Sequence, residues 1–477
     1  MECTTCNFSQ SCIRVSTEKK KYLFHCDSGT TFDPVILEQP DRLDNLLKFG
    51  YVKNDNYFEN KYVTSEEVEH FLATDGYTQL ILSISYACNF RCKYCYYGDY
   101  YPESREHQGI LMSWDVAKAA IDEYMRLLIK YQPYHFRRRG CVVFYGGEPL
   151  LNFEVLKHCV EYIETTYSEW NILYNLTTNG ALMNEEIRNF FVQHDFVVNV
   201  SFDGPREEHD RLRVTATGKP TYDMVYTNIV EYSKILKRPV NCLTVFDPKT
   251  NLVAVADFFD NNEYVNMLTA SAVKDTNGNY YSQFSKKDYL YHQKQKKLIF
   301  NRLMEEVGNP TKLFAYAARF YISAISRFID GIPNIGVENP KLIRMTNGCV
   351  PGNKIHVVPD GNFYMCEKCL MTHSFGDVKS GIDFHKVADL VNEYNRHTRQ
   401  CIKCIYRQVC HMCQSFIEKD DGYFIDGIKC KKEVENNIRQ SLEIAYAVIE
   451  KDPVWARNTT SEYYKNIYQN CGGSKDE

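Results

Sequence analysis

From residue 79 to about residue 270 the chain repeats one pattern six times: a short apolar, β-branched run, then an amphipathic segment of helical period. The runs are QLILSIS, CVVFYG, NILYNLTT, FVVNVSF, PVNCLTVF and YVNMLTA. Between them lie SWDVAKAAIDEYMRLLIKY, NFEVLKHCVEYIETTY, NEEIRNFFVQH and YDMVYTNIVEYSKIL, with Ser113, Asn152 and Asn184 placed as helix-start residues. Six strand–helix units in series predict an α/β fold whose strands run parallel with right-handed crossovers. The expected architecture is a partial (β/α)6 barrel of the TIM type, short of the full eight-unit ring.

In such sheets the chemistry collects at the C-terminal ends of the strands. The unusual residues of this chain fall there. Cys88, Cys92 and Cys95 follow the first run, Gly146–Pro149 (GGEP) the second and Thr177–Gly180 (TTNG) the third, while Ser201–Pro205 (SFDGP) ends the fourth. All belong to one rim.

The rest of the chain divides around this core. Residues 1–78 form a small N-terminal α+β unit. Residues 79–340 carry the barrel and a helical, Lys/Tyr-rich connector. Residues 341–450 form a cysteine-dense domain, and 451–477 a tail. The chain carries 19 cysteines, lacks an apolar signal region at its start and has no apolar stretch of membrane-spanning length. It reads as cytoplasmic, with no membrane partner, and so as a chain whose thiols bind metal rather than forming disulfides. A net charge of −5 without a long basic run disfavours nucleic acid as the partner.

The first trio has the spacing C-x3-C-x2-C, one ligand short of a closed tetrahedral site. Two readings follow from the spacing. One is zinc completed by a distant ligand. The other is a [4Fe–4S] cluster with three cysteine ligands and one open iron.

Together, CNFRCKYCYY, YGGEPLLN, TTNG and SFDGPREEHDRLR resemble the radical S-adenosylmethionine (SAM) enzymes in kind, order and spacing over residues 79–270. The resemblance implies that Cys88, Cys92 and Cys95 bind a [4Fe–4S] cluster whose open iron takes the amino and carboxylate groups of SAM. It implies a 5′-deoxyadenosyl radical that removes a hydrogen atom from substrate. It places Tyr94 near the adenine, Gly146, Gly147 and Glu148 at the methionine ammonium, Ser201 at the ribose or carboxylate end, and Arg213 at the SAM carboxylate, with Arg211 as its competitor. Asn179 stands either as a ligand or as a turn residue, and Tyr94 either as a ligand contact or as packing.

Further on, Cys349, Cys366, Cys401, Cys404, Cys410, Cys413 and Cys430 sit among glycine turns, and HVVPDGNFYMC reads as a hairpin about Asp360–Gly361. Seven thiols exceed one zinc ribbon and suit two polynuclear clusters. The arrangement resembles the SPASM domain, which carries two auxiliary [4Fe–4S] clusters, for three in all. By that resemblance Cys349, Cys366 and Cys413 serve the first auxiliary cluster, and Cys401, Cys404, Cys410 and Cys430 the second. The family has three residues between the last pair of its four-cysteine block, whereas Cys410 and Cys413 are separated by two. The first auxiliary cluster is either closed by Cys369 or left with an open iron.

Near the start, Cys3, Cys6 and Cys12 repeat the C-x2-C-x5-C spacing of Cys401, Cys404 and Cys410, so a further metal site with Cys26 is one reading and unligated thiols the other. KKYLFHCDSGTTF reads as a hairpin, and DRLDNLLKFGYV and SEEVEHFLAT as short helices. A β-then-helix unit of this kind resembles the leader-binding modules of peptide-modifying members, which work by strand addition. A cap over the barrel is the other reading.

The expected function is a radical SAM/SPASM maturase that forms thioether crosslinks in a ribosomally made, cysteine-rich precursor peptide. A reduced flavodoxin- or ferredoxin-type protein would be its electron donor. The alternatives are formylglycine formation of the anaerobic sulfatase-maturase kind, carbon–carbon crosslinking, and a zinc-stapled interaction protein. No acid or base for the second half-reaction is assigned.

Overall fold

The first strands, β1 (Cys12–Ser16), β2 (Lys21–His25) and β3 (Thr30–Phe32), form a small antiparallel sheet of their own. The six apolar runs then appear as β4 (Gln79–Ser85), β5 (Cys141–Gly146), β6 (Leu173–Thr178), β7 (Val197–Ser201), β8 (Val240–Phe246) and β9 (Val265–Ala272), paired side by side in sequence order and all parallel. The computed structural model describes residues 8, 11–26, 28–49, 52, 62–101, 107–131, 139–274, 278–329, 348–406, 409–410, 412–419, 422–423 and 426–470. Cys3 and Cys6 lie outside them.

The strands are continuous apolar runs because both faces are covered: every residue of β4 after Gln79 is buried. The helix Trp114–Tyr131 buries Ala117, Ala120, Ile121, Tyr124, Met125, Leu127 and Tyr131, the three-and-four spacing of one helical face. Ser113 accepts from the Val116 N–H at 3.3 Å and Asn184 from the Ile187 N–H at 2.9 Å, as helix-start residues do. Asn152 departs from that expectation. Its side chain makes no cap bond. Buried, it donates to the carbonyls of Ile84 at 2.8 Å and Met112 at 2.9 Å, meeting the backbone where β4 ends.

One connection was not visible in the sequence. The predicted hairpin about Asp360–Gly361 forms from β10 (Lys354–Val357) and β11 (Asn362–Tyr364), and Gly361 takes a φ of 88°. But β10 also lies parallel to β4, Lys354 opposite Gln79 through Val357 opposite Leu82. With β12 (Gly376–Asp377) and β13 (Gly381–Ile382) the cysteine-dense region extends the parallel sheet to ten strands, ordered β13-β12-β11-β10-β4-β5-β6-β7-β8-β9. Asn353 stitches the join. Its carbonyl accepts the Thr78 N–H at 2.7 Å, and its side chain donates to Gly76 O at 2.9 Å.

The N-terminal sheet packs Ile13, Val15, Phe24 and Cys26 against Tyr406, Ile438, Leu442 and Tyr446, the last three on the long helix Gly427–Lys451. Its other face packs Leu23 and partly buried Cys12 with Phe8, Ile36 and Leu43. Cys12, on β1, and Cys26, one residue past β2, thus fall in different apolar clusters; a metal site that also takes Cys3 and Cys6 lies partly outside the described residues. Among the described residues no helix is long and apolar enough to cross a membrane.

Candidate active site and cysteine centres

Because β4–β9 are parallel, the residues that follow them share one edge. Two strand ends close in there. The Gly147 N–H donates to Ser85 O at 2.6 Å and the Glu148 N–H to Ala87 O at 2.9 Å. A Cβ on Gly146 would lie 2.1 Å from Ser85 O, and one on Gly147 2.4 Å from Ala87 O. Gly146 also holds a φ of 137°. The two glycines thus let β5 run against the backbone that leads into Cys88.

Glu148 is fully buried. Its Oε1 accepts from the Thr178 hydroxyl at 2.7 Å and the Leu150 N–H at 3.0 Å, and its Oε2 from the Asn179 N–H at 2.7 Å. Burial pushes the carboxyl up to about 7 against these three donors, which pull it down. Among the described residues no cation is bonded to it, and these bonds tie the GGEP turn to the end of β6. Asn179 is both a turn residue and a link. Its Oδ1 accepts the Ala181 N–H at 3.0 Å, while its Nδ2 donates to Asn89 Oδ1 at 2.8 Å and lies 3.8 Å from Cys88 Sγ.

The cysteine loop is stitched to the segment around Arg213. The Arg91 N–H donates to Val214 O at 2.8 Å, Lys93 N–H to Leu212 O at 2.9 Å, and Ala216 N–H to Asn89 O at 3.0 Å. Arg213 is buried and grips Asp203 twice, Nε to Oδ2 at 2.7 Å and Nη2 to Oδ1 at 3.0 Å. Burial opposes its charge, but Asp203 holds the guanidinium protonated. It lies 5.3 Å from the centroid of the Tyr94 ring. Arg211 turns elsewhere, to Glu208 at 2.9 Å and Asp247 at 2.7 Å. His209, kept neutral by burial and by Arg213, accepts the Asp203 N–H at 3.4 Å and meets the Thr221 hydroxyl at 3.1 Å. Ser201 is half-buried at the last position of β7. Sequence reasoning missed Asp203 and His209, although both lie inside the quoted SFDGPREEHDRLR.

The cysteine-dense region resolves into two neighbourhoods. Cys349 lies within electrostatic reach of Cys366 and Cys413, and Cys369 of Cys366 and Cys413. The thiols of Cys366 and Cys369 are 3.5 Å apart, and the hydrogen bond between them holds Cys366 low. Cys430 lies within reach of Cys404 and Cys410, and the Cys404 N–H donates to Cys401 O at 3.1 Å. Among the described residues no group of three or more His, Cys, Asp or Glu is gathered tightly enough to hold a single metal ion.

Three cysteines share one local device. Backbone N–H groups two residues on point at sulfur: Phe90 to Cys88 at 3.4 Å, Lys368 to Cys366 at 3.4 Å, and Met412 to Cys410 at 3.3 Å. Such donors favour thiolate, the form that ligates iron. Burial pushes the Cys88 and Cys92 thiols up to about 12, a cost that ligation removes. The Tyr94 hydroxyl is buried with no partner among the described residues. Three thiols, an orphaned hydroxyl and a buried guanidinium at one rim fit an iron–sulfur cluster with a charged, nucleoside-bearing ligand.

Comparison with known proteins agrees. The Radical SAM superfamily matches residues 82–260. A cysteine-type anaerobic sulfatase-maturating enzyme of Clostridium novyi is 31% identical over 180 residues, 36% of this chain and 45% of that one. The radical SAM cyclopropyl synthase TigE of Paramaledivibacter caminithermalis is 26% identical over 223 residues, 44% of each. The chain thus spans about half the length of these curated relatives. The solved structure of native anSMEcpe with bound AdoMet and Cp18Cys peptide superposes with a TM-score of 0.58 at 19% identity, over 79% of this chain and 99% of that one, a likeness of fold.

Proposed function

We propose that this chain, whose residues 82–260 match the Radical SAM superfamily, is a radical SAM maturase that crosslinks a cysteine-rich precursor peptide by thioether formation. The match to that superfamily implies a [4Fe–4S] cluster and SAM, which when bound would supply one-electron chemistry and hydrogen-atom abstraction. The observation that carries the reading is the rim itself. The Cys88–Cys95 loop is bonded to Asn179 and to the Arg213 segment, so three motifs far apart in sequence hold one site.

In this reading Cys88, Cys92 and Cys95 hold the SAM cluster. Tyr94 would offer its orphaned hydroxyl and its ring to the nucleoside, and Gly146, Gly147 and Glu148 would meet the ammonium. Arg213, with Nε and Nη2 fixed on Asp203, would pair with the carboxylate. Glu148 also fixes Thr178 and Asn179. Cys349, Cys366, Cys413 and, alongside them, Cys369 hold one auxiliary cluster. Cys401, Cys404, Cys410 and Cys430 hold the other. The 3.5 Å approach of Cys369 to Cys366 favours closure by Cys369 over an open iron. The N-terminal sheet, braced on the helix Gly427–Lys451, is read as the grip on the precursor leader. A reduced flavodoxin- or ferredoxin-type protein supplies electrons.

Relatives named as sulfatase-maturating enzymes and a structure holding a Cp18Cys peptide support a peptidyl substrate and make formylglycine formation the second reading. Anaerobic co-expression with a small cysteine-rich peptide separates the two by mass spectrometry. Loss of two hydrogens per crosslink, with the cysteine sulfur retained but closed to alkylation, is the expected result. Loss of sulfur from a cysteine would establish formylglycine instead. An unmodified peptide with SAM still cleaved would overturn the substrate assignment.

A further inference from the structure

Lys274, two residues beyond β9, reaches between the two cysteine-bearing regions. Its carbonyl accepts the Tyr101 hydroxyl at 2.7 Å, which anchors the base of the side chain. Its Nζ lies 5.4 Å from the centroid of the Tyr96 ring and 5.9 Å from that of Phe416, and donates to Lys368 O at 3.2 Å. Tyr96 directly follows Cys95, Lys368 lies between Cys366 and Cys369, and Phe416 comes shortly after Cys413. One ammonium therefore touches the segment of the first trio and both segments of the neighbouring cysteine group. Burial pulls the pKa of this ammonium down, while Cys369, Cys413, Cys366 and Glu418, all within its electrostatic reach, push it back up.

We propose that Lys274 is a positioning residue that holds a fixed positive charge against the auxiliary centre of Cys349, Cys366, Cys369 and Cys413 and raises the reduction potential of that centre. The inference rests on reading those cysteines as iron–sulfur ligands. Reducing a cluster adds negative charge to a thiolate-rich site. A cation held nearby, with aromatic faces in place of water on two sides, stabilises the reduced form more than the oxidised one. The placement also suits electron passage, because the same ammonium sits on Tyr96 beside the first trio. Glu418 pulls the other way.

The test is an EPR-monitored redox titration of anaerobically reconstituted full-length enzyme, with iron counted for each variant. Lys274→Met keeps the apolar stem and removes the charge, and Lys274→Arg keeps the charge. The expected result is full iron in both, an auxiliary midpoint moved to more negative potential in the Met variant, and a midpoint near wild type in the Arg variant. Loss of auxiliary iron in the Met variant with recovery in the Arg variant equally supports a charge requirement. An unmoved midpoint in the Met variant, or equal shifts or equal iron loss in both variants, overturns the proposal. Wild-type enzyme without auxiliary iron would instead overturn the ligand assignment, and the iron count shows this before any variant is made.

Discussion

Arg213 and Asp203 form a two-point ion pair at 2.7 and 3.0 Å, buried beneath the ring of Tyr94. The pair fixes the plane of the guanidinium, and with it the direction left for a ligand carboxylate. Asp203→Asn should leave Arg213 buried without its counter-charge, at about 3–5 kcal/mol of stability. SAM affinity should fall by about tenfold or more, the equivalent of one misplaced contact of about 1.4 kcal/mol. Urea unfolding and calorimetric SAM titration of the same preparation check both. Lowered stability with unchanged SAM affinity would leave the pair a purely structural role.

Glu148 gathers three donors from two turns, at 2.7, 2.7 and 3.0 Å. Glu148→Ala strands the Thr178 hydroxyl and the N–H groups of Leu150 and Asn179 in a buried site, at about 1–3 kcal/mol for each group left unpaired. Asn179 then loses its hold beside Cys88. The expected outcome is loss of reductive SAM cleavage, read as 5′-deoxyadenosine release, in protein that still folds by circular dichroism. Full activity in that variant would refute the assignment of the GGEP turn.

The parallel strands were legible because period and composition are local signals. All six runs lie within two residues of the strands observed. The rim was legible for the same reason, since parallel strands bring their following residues together. What stayed hidden depends on distant partners. The pairing of β10 with β4 joins residues about 275 apart, and no local pattern in KIHV announces it. Asn152 looked like a cap but serves two carbonyls of other segments. Lys274 has no motif at all, and only the fold brings it to Tyr96 and Lys368.

Asp247 offers a pH-dependent readout of the same rim. Burial alone would raise its carboxyl, but the hydrogen bond and charge of Arg211, with donors from Lys249 and Tyr280, hold it below the ordinary aspartate value. A depressed carboxylate contributes stability above its unfolded pKa, about 3.9, and that contribution is lost as pH falls through the folded value. Asp247→Asn should therefore be less stable than wild type at pH 7, with the gap between their urea midpoints closing below about pH 4. A gap that is independent of pH would assign the effect to packing.

Glu450 joins the N-terminal sheet to the C-terminal helix. Its Oε1 accepts both the Thr17 hydroxyl and the Tyr22 hydroxyl at 2.6 Å, one from the β1–β2 turn and one from β2. Burial, then the bond to Glu450, pushes Tyr22 up to about 12, so it stays a donor throughout the working range. Hydrogen bonds to a charged acceptor contribute about 1.5–3 kcal/mol, and here two converge on one oxygen. The apolar contacts of Ile13, Val15 and Phe24 with Leu442 and Tyr446 remain when the carboxylate is removed. Glu450→Ala should therefore loosen the sheet without releasing it. Hydrogen exchange of the β1 and β2 amides should quicken by about tenfold, the equivalent of 1.4 kcal/mol of local opening, while the β4–β9 amides keep their protection. If the sheet grips the precursor leader, the same variant should weaken peptide binding while leaving peptide-independent SAM cleavage unchanged. Faster exchange with unaltered peptide affinity would make the N-terminal unit a cap rather than a grip.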